Sequence, residues 1–160
     1  MVRFQGERSA PSDCGVALSK VTEPVDLDLS LESVMEGIWV TGTAAARVTG
    51  ECARCLDPIS WDEVVDIEEL FTYPETDARG AVISPAEDDD DLHVEDDCVD
   101  LESPVRDAIV LGMPLAPVCR EDCAGLCATC GVRLDDEPGH AHEDFDPRWA
   151  ALADLRDREQ

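Results

Sequence analysis

Residues 38–67 read IWVTGTAAARVTGECARCLDPISWDEVVDI, and their rhythm decides the fold. Ile38, Val40, Ala44, Ala46 and Val48 fall on one parity, interrupted at Gly42. Ile59, Trp61, Val65 and Ile67 resume a period of two after Asp57-Pro58. Alternation of this kind marks half-buried antiparallel strands. The segment is therefore expected to be a long β-hairpin with Cys52-Ala-Arg-Cys55 at its tip. Gly42 is a candidate bulge position.

The pattern extends upstream. Val25, Leu27, Leu29 and Leu31 alternate with Asp26, Asp28 and Ser30, which adds a further strand. Residues 1–23 are polar with few apolar anchors and read as an N-terminal arm, loose or as an edge strand. Residues 24–73 form the hairpin-rich body. Residues 74–100 carry Pro74, Gly80 and Pro85, an unbroken acidic run from Glu87 to Asp91, and then Glu95, Asp96 and Asp97. Such blocks repel themselves, so an extended, mobile acidic loop is expected there. The loop has no EF-hand spacing.

Residues 101–160 are read as one domain with the body. A short helix is expected over Leu101–Leu111, started at Asp100 or Ser103-Pro104 and ended by Gly112 and Pro114. A C-terminal helix should begin at Asp146-Pro147, with Trp149, Leu152 and Leu155 on one face. The fold class is thus α+β: an antiparallel β-rich body, a short helix, a zinc-knuckle segment and a C-terminal helix.

The chain of 160 residues has eight cysteines. The opening residues lack the apolar core of a signal peptide, and no run reaches the ~20 apolar residues of a membrane span. A cytoplasmic protein is expected, in which paired cysteines read as metal ligands before disulfides. Cys119, Cys123, Cys127 and Cys130 put four thiols in twelve residues. Zinc takes four tetrahedral sulfur or nitrogen donors, and short C-x2–4-C spacings place two on one turn. These four make the primary candidate site. Cys52, Cys55, His140 and His142 supply four more donors for a second site, in a pairing the sequence leaves open. Cys14 and Cys98 have no close partner and read as spectators.

All-cysteine zinc is closed to substrate. The chain has no H-E-x-x-H, G-x-S-x-G or phosphate-loop motif and no H-x-E…P-C-x-x-C deaminase signature. A non-enzymatic protein is expected, and no small-molecule substrate is evident. The formal net charge is -26, from 38 acidic and 12 basic residues. That surface steers polyanions away and favours a basic protein partner; solubility alone is the plainer account. Arg54, Arg120 and Arg133 lie within the cysteine motifs. They either support thiolate charge or, with Arg148, form a small RNA-contacting patch.

Four stretches together resemble the YceD family, the large ribosomal RNA subunit accumulation proteins. They are Glu51-Cys-Ala-Arg-Cys-Leu56, the run from Val105 to Cys119, Cys123-Ala-Gly-Leu-Cys-Ala-Thr-Cys-Gly131, and Asp146-Pro-Arg-Trp-Ala-Ala-Leu152. The resemblance covers roughly residues 25–155. It implies a bacterial or plastid factor in accumulation of large-subunit ribosomal RNA, while the ligand count above sets the expectation of one or two Zn²⁺. Taken with the charge of -26 and the acidic loop, it points to basic ribosomal proteins or the pre-ribosomal large subunit as partners, with contact to RNA indirect. Family relatives often carry C-x-C where this chain has His140-Ala-His142. A direct rRNA-binding module and a metal-dependent processing nuclease are the alternatives.

Overall fold

A computed structural model describes residues 1–74, 79 and 92–142. Among these residues, six strands, β1 (Val2–Arg8), β2 (Gly15–Val16), β3 (Ser19–Val21), β4 (Val25–Ser33), β5 (Gly37–Glu51) and β6 (Pro58–Thr72), precede one helix, α1 (Glu102–Gly112). All strand pairings are antiparallel.

The hairpin β5–β6 is the spine. Its register runs without a slip from Gly37 opposite Thr72 to Glu51 opposite Pro58. Each strand is fifteen residues long, or roughly 50 Å at a strand's rise per residue. The other side of β5 is shared. β4 lies beside Ile38–Ala45, and β3 takes over beside Val48–Gly50. β1 closes the outer side of β4. The polar arm is thus an edge strand followed by the small β2–β3 hairpin.

The alternating apolar residues face one side. Val25, Leu27 and Leu29 meet Val40, Ala44, Val48, Ile67 and Phe71 in one core, over which α1 lays Val105 and Ile109. Burying each such side chain contributes about 1.5–3 kcal/mol, enough to orient the whole sheet. Cys14 is part of this core; its burial pushes the thiol pKa up. Asp100 Oδ1 accepts the Glu102 N–H at 2.9 Å, and Pro104 occupies the first turn of α1. Gly112 ends it where a Cβ would stand 3.0 Å from Val65 Cγ1.

Gly42 does not mark a bulge. It pairs in register with Leu29 and Ile67. The residue is required for close approach: a Cβ would sit 2.0 Å from the Asp28 carbonyl oxygen, and φ is +149°. In the acidic segment, Glu95–Cys98 is a tight turn closed by reciprocal backbone hydrogen bonds. Asp96 and Asp97 adopt left-handed backbone there. The run Glu87–Asp91 and the expected C-terminal helix with Arg148 lie outside the described residues.

Candidate metal centres

Two turns of the same build organise the cysteines. In the first, the Cys52 N–H donates to the Asp57 carbonyl at 2.8 Å, and the Leu56 N–H donates to the Cys52 carbonyl at 2.9 Å. In the second, the Cys127 N–H donates to the Val132 carbonyl and the Gly131 N–H to the Cys127 carbonyl, both at 2.8 Å. The residue after each C-x-x-C is left-handed: Leu56 at φ 61° and Gly131 at φ 76°. Glycine takes that conformation at little cost and leucine does not.

Each turn gathers a different second pair. Cys52, Cys55, Cys119 and Cys123 form one group, and Cys127, Cys130, His140 and His142 the other. Within each group all ligand atoms lie within 4.8 Å of one another. The four thiols of 119–130 therefore do not share a site. At Gly125 the backbone turns with φ 81°, under the Arg54 carbonyl, where a Cβ would come within 2.9 Å. The Leu126 N–H donates to that same Arg54 carbonyl at 3.0 Å. This bend sends Cys119 and Cys123 to the hairpin tip and Cys127 and Cys130 to the histidines. The second group likewise is not Cys52 and Cys55 with the histidines.

The first group is nearly dry. Cys52, Cys55 and Cys123 are buried, and Ile59 packs against them in a small cluster separate from the main core. Cys52 Sγ lies 3.9 Å from Cys123 Sγ, and Cys55 Sγ 3.7 Å from Cys119 Sγ. Tetrahedral zinc with bonds of about 2.3 Å separates its sulfurs by about 3.8 Å, so the spacing fits. The N–H of Cys55 chiefly draws the Cys52 thiol down to about 6. At Cys55 the Asp57 N–H favours the thiolate, but burial and the thiols of Cys52, Cys119 and Cys123 push it up to about 12. Burial, then Cys123, raises Cys119. Three buried sulfurs and the exposed Cys119 repel each other's charge as thiolates, and a cation at their centre would remove that conflict.

The second group is open. Cys130 and His142 are exposed. His140 Nε2 lies 3.2 Å and His142 Nε2 3.1 Å from Cys130 Sγ, and the two Nε2 atoms are 3.0 Å apart. The rings meet edge to face. His140 Nδ1 is 3.3 Å from the Glu137 carboxylate, a contact that leaves Nε2 as the donor toward the cluster, as second partners of ligating histidines do. The Cys130 and Thr129 N–H groups draw Cys127 down to about 6. Soft thiolates with imidazoles are a donor set that zinc accepts.

The arginines tie these turns together. Arg54 donates to the carbonyls of Glu121 at 3.0 Å and Cys123 at 2.9 Å. Arg120 pairs with Asp122 and Asp135. Arg133 pairs with Asp57 across the two turns; its guanidinium holds the Asp57 carboxyl below the usual range. All three are thus engaged within the protein. Sequence reasoning grouped cysteines by proximity along the chain. The sequence shows both C-x-x-C pairs, at 52–55 and 127–130, but not that each anchors a separate site; only their convergence with Cys119 and Cys123 and with the histidines assigns them.

Fold and clusters together define a β-sheet protein whose Cys and His donors converge at two points beyond the hairpin tip. The chain matches the family model "Large ribosomal RNA subunit accumulation protein YceD" over residues 40–156. It belongs to the YceD family. An uncharacterised protein of Mycobacterium tuberculosis is 47% identical over 148 residues, covering 91% of this chain and 70% of its own length. An uncharacterised protein of Mycobacterium leprae is 40% identical over 153 residues, covering 93% and 69%. The maize protein named large ribosomal RNA subunit accumulation protein YCED homolog 1, chloroplastic, is 31% identical over 117 residues, covering 59% and 40%. No solved structure matches.

Proposed function

We propose that this protein is a non-enzymatic, zinc-binding factor of ribosome biogenesis. It supports the synthesis, processing or stability of 23S rRNA in the cytoplasm. Cys52, Cys55, Cys119 and Cys123 would hold one Zn²⁺, and Cys127, Cys130, His140 and His142 a second. The observation that carries the zinc reading is the convergence of eight donors into two groups of four. Four protein donors leave zinc no open position, so the metal serves as a cross-link. Family membership supports the rRNA role.

The partner is a basic ribosomal protein or the pre-ribosomal large subunit, with contact to RNA indirect. The net charge of -26 and the engagement of Arg54, Arg120 and Arg133 by backbone carbonyls and carboxylates support a protein over RNA. Two measurements test the reading. Elemental analysis should give near two zinc per chain, falling to about one in Cys127→Ser; absence of metal from both overturns the zinc assignment. Depletion in the native host should lower 23S relative to 16S rRNA, and an unchanged ratio overturns the biogenesis role.

A further inference from the structure

The long outer edge of β6 takes no part in the metal clusters. Among the described residues, β6 pairs with β5 on one side and is met on its other side only at Thr72. There the chain adds a short partner to its own edge. The Thr72 N–H donates to the Leu92 carbonyl at 2.8 Å, and the Val94 N–H donates to the Thr72 carbonyl at 2.9 Å. Alternate residues of an antiparallel strand aim their N–H and C=O to the same side. The edge-facing backbone is therefore that of Ser60, Asp62, Val64, Asp66, Glu68 and Leu70.

Ile67 and Phe71 point into the core, so the side chains of these even-numbered residues stand on the opposite face. Val64 there is 62% exposed. Asp62 is paired with Arg47 at 2.7 Å. Asp66 and Glu68 flank the same edge. A long strand edge whose donors and acceptors no described residue pairs beyond Thr72 is a template for another chain.

We propose that the β6 edge binds an extended, arginine- or lysine-rich segment of a partner protein by strand addition, with Asp62, Asp66 and Glu68 pairing its basic side chains. The proposal rests on the basic-protein reading above and names the surface that serves it. Charge complementarity selects the occupant. A second copy of β6 would set like carboxylates against each other, and a nucleic acid would meet the same repulsion.

The test uses the full-length zinc-loaded protein and a fluorescein-labelled decapeptide of alternating Arg and Val, followed by anisotropy. Two changes are compared. One is the triple variant Asp62→Lys, Asp66→Lys, Glu68→Lys, first checked for unchanged melting temperature and zinc content. The other is the same peptide N-methylated at every backbone amide, which keeps its charge and loses its donors. Each should weaken binding by about tenfold, the combined size of three exposed ion pairs or of a few lost backbone hydrogen bonds. Equal binding of the methylated peptide overturns strand addition, as does failure of the unmodified peptide to bind. Unchanged binding to the triple variant removes the edge as the site. If that variant does not fold, the peptide pair alone decides. Capture of basic ribosomal proteins from a nuclease-treated lysate separates the two readings. Capture that survives in the triple variant overturns the edge and leaves the partner class standing. No capture by wild type overturns the partner class itself.

Discussion

The two cysteine turns share a hydrogen-bond pattern and differ in everything around it. The two cysteines of the turn at Cys52 are buried, and their partners Cys119 and Cys123 lie 64 to 71 residues away along the chain. The turn at Cys127 is open to solvent, and its histidines follow within 12 residues. One backbone device thus serves two mechanical purposes. The first cluster ties the tip of the spine to the segment beyond α1, and the second cinches a local loop. Closing a longer loop costs more chain entropy, so a cation at the first cluster would have the greater effect on the fold.

Breaking the first cluster should therefore have the largest effect. Structural zinc contributes on the order of 10–16 kcal/mol in isolated peptides. Cys52→Ser is expected to release residues 117–126 from the hairpin tip and to lower zinc content to one per chain or less. Loss of amide protection at Ala53, whose N–H donates to the Pro117 carbonyl at 2.7 Å, would report it. Ile109→Ala should come next, costing about 2–5 kcal/mol by cavity formation, since Ile109 is fully buried. It sharpens the contrast if zinc content stays at two while the urea midpoint falls.

Cys130→Ser should cost the second zinc and leave the sheet's melting transition near its wild-type value, with circular dichroism and metal analysis as the readouts. A fall as large as that of Cys52→Ser would end the distinction between the two turns. The ion pair joining them should make a smaller contribution that depends on pH. Asp57 is held below its usual range by Arg133, so its contribution is present above the unfolded value of about 4 and fades as pH falls through the folded one. The difference in melting temperature between wild type and Asp57→Asn should shrink accordingly. Smallest is Leu56→Gly. It relieves left-handed strain of about 1–2 kcal/mol and gives part of that back in chain entropy, so a slight stabilisation is expected in a denaturant titration.

Periodicity along the sequence was enough for the spine, because Val40, Ala44, Val48, Ile67 and Phe71 encode burial in their own spacing. It also located the tip, since Cys52 and Cys55 sit between two alternating runs. Gly42 was misread because a strand glycine can serve either a bulge or a close approach. Only the neighbouring strand, with the Asp28 carbonyl against it, distinguishes them. The ligand sets were out of reach for a related reason. Cys123 meets Cys52 across 71 residues through the topology of the sheet, a juxtaposition that leaves no mark in local spacing.

The separation of 64 residues between Cys55 and Cys119 also has a meaning in time. During synthesis at about 5–20 residues per second, the hairpin tip is made roughly 3–13 s before the residues that complete its cluster. For that interval the nascent chain presents a thiol pair whose two partner cysteines have not yet been made. Any protection of Cys52 and Cys55 from oxidation in that interval would have to act while the protein is still being made.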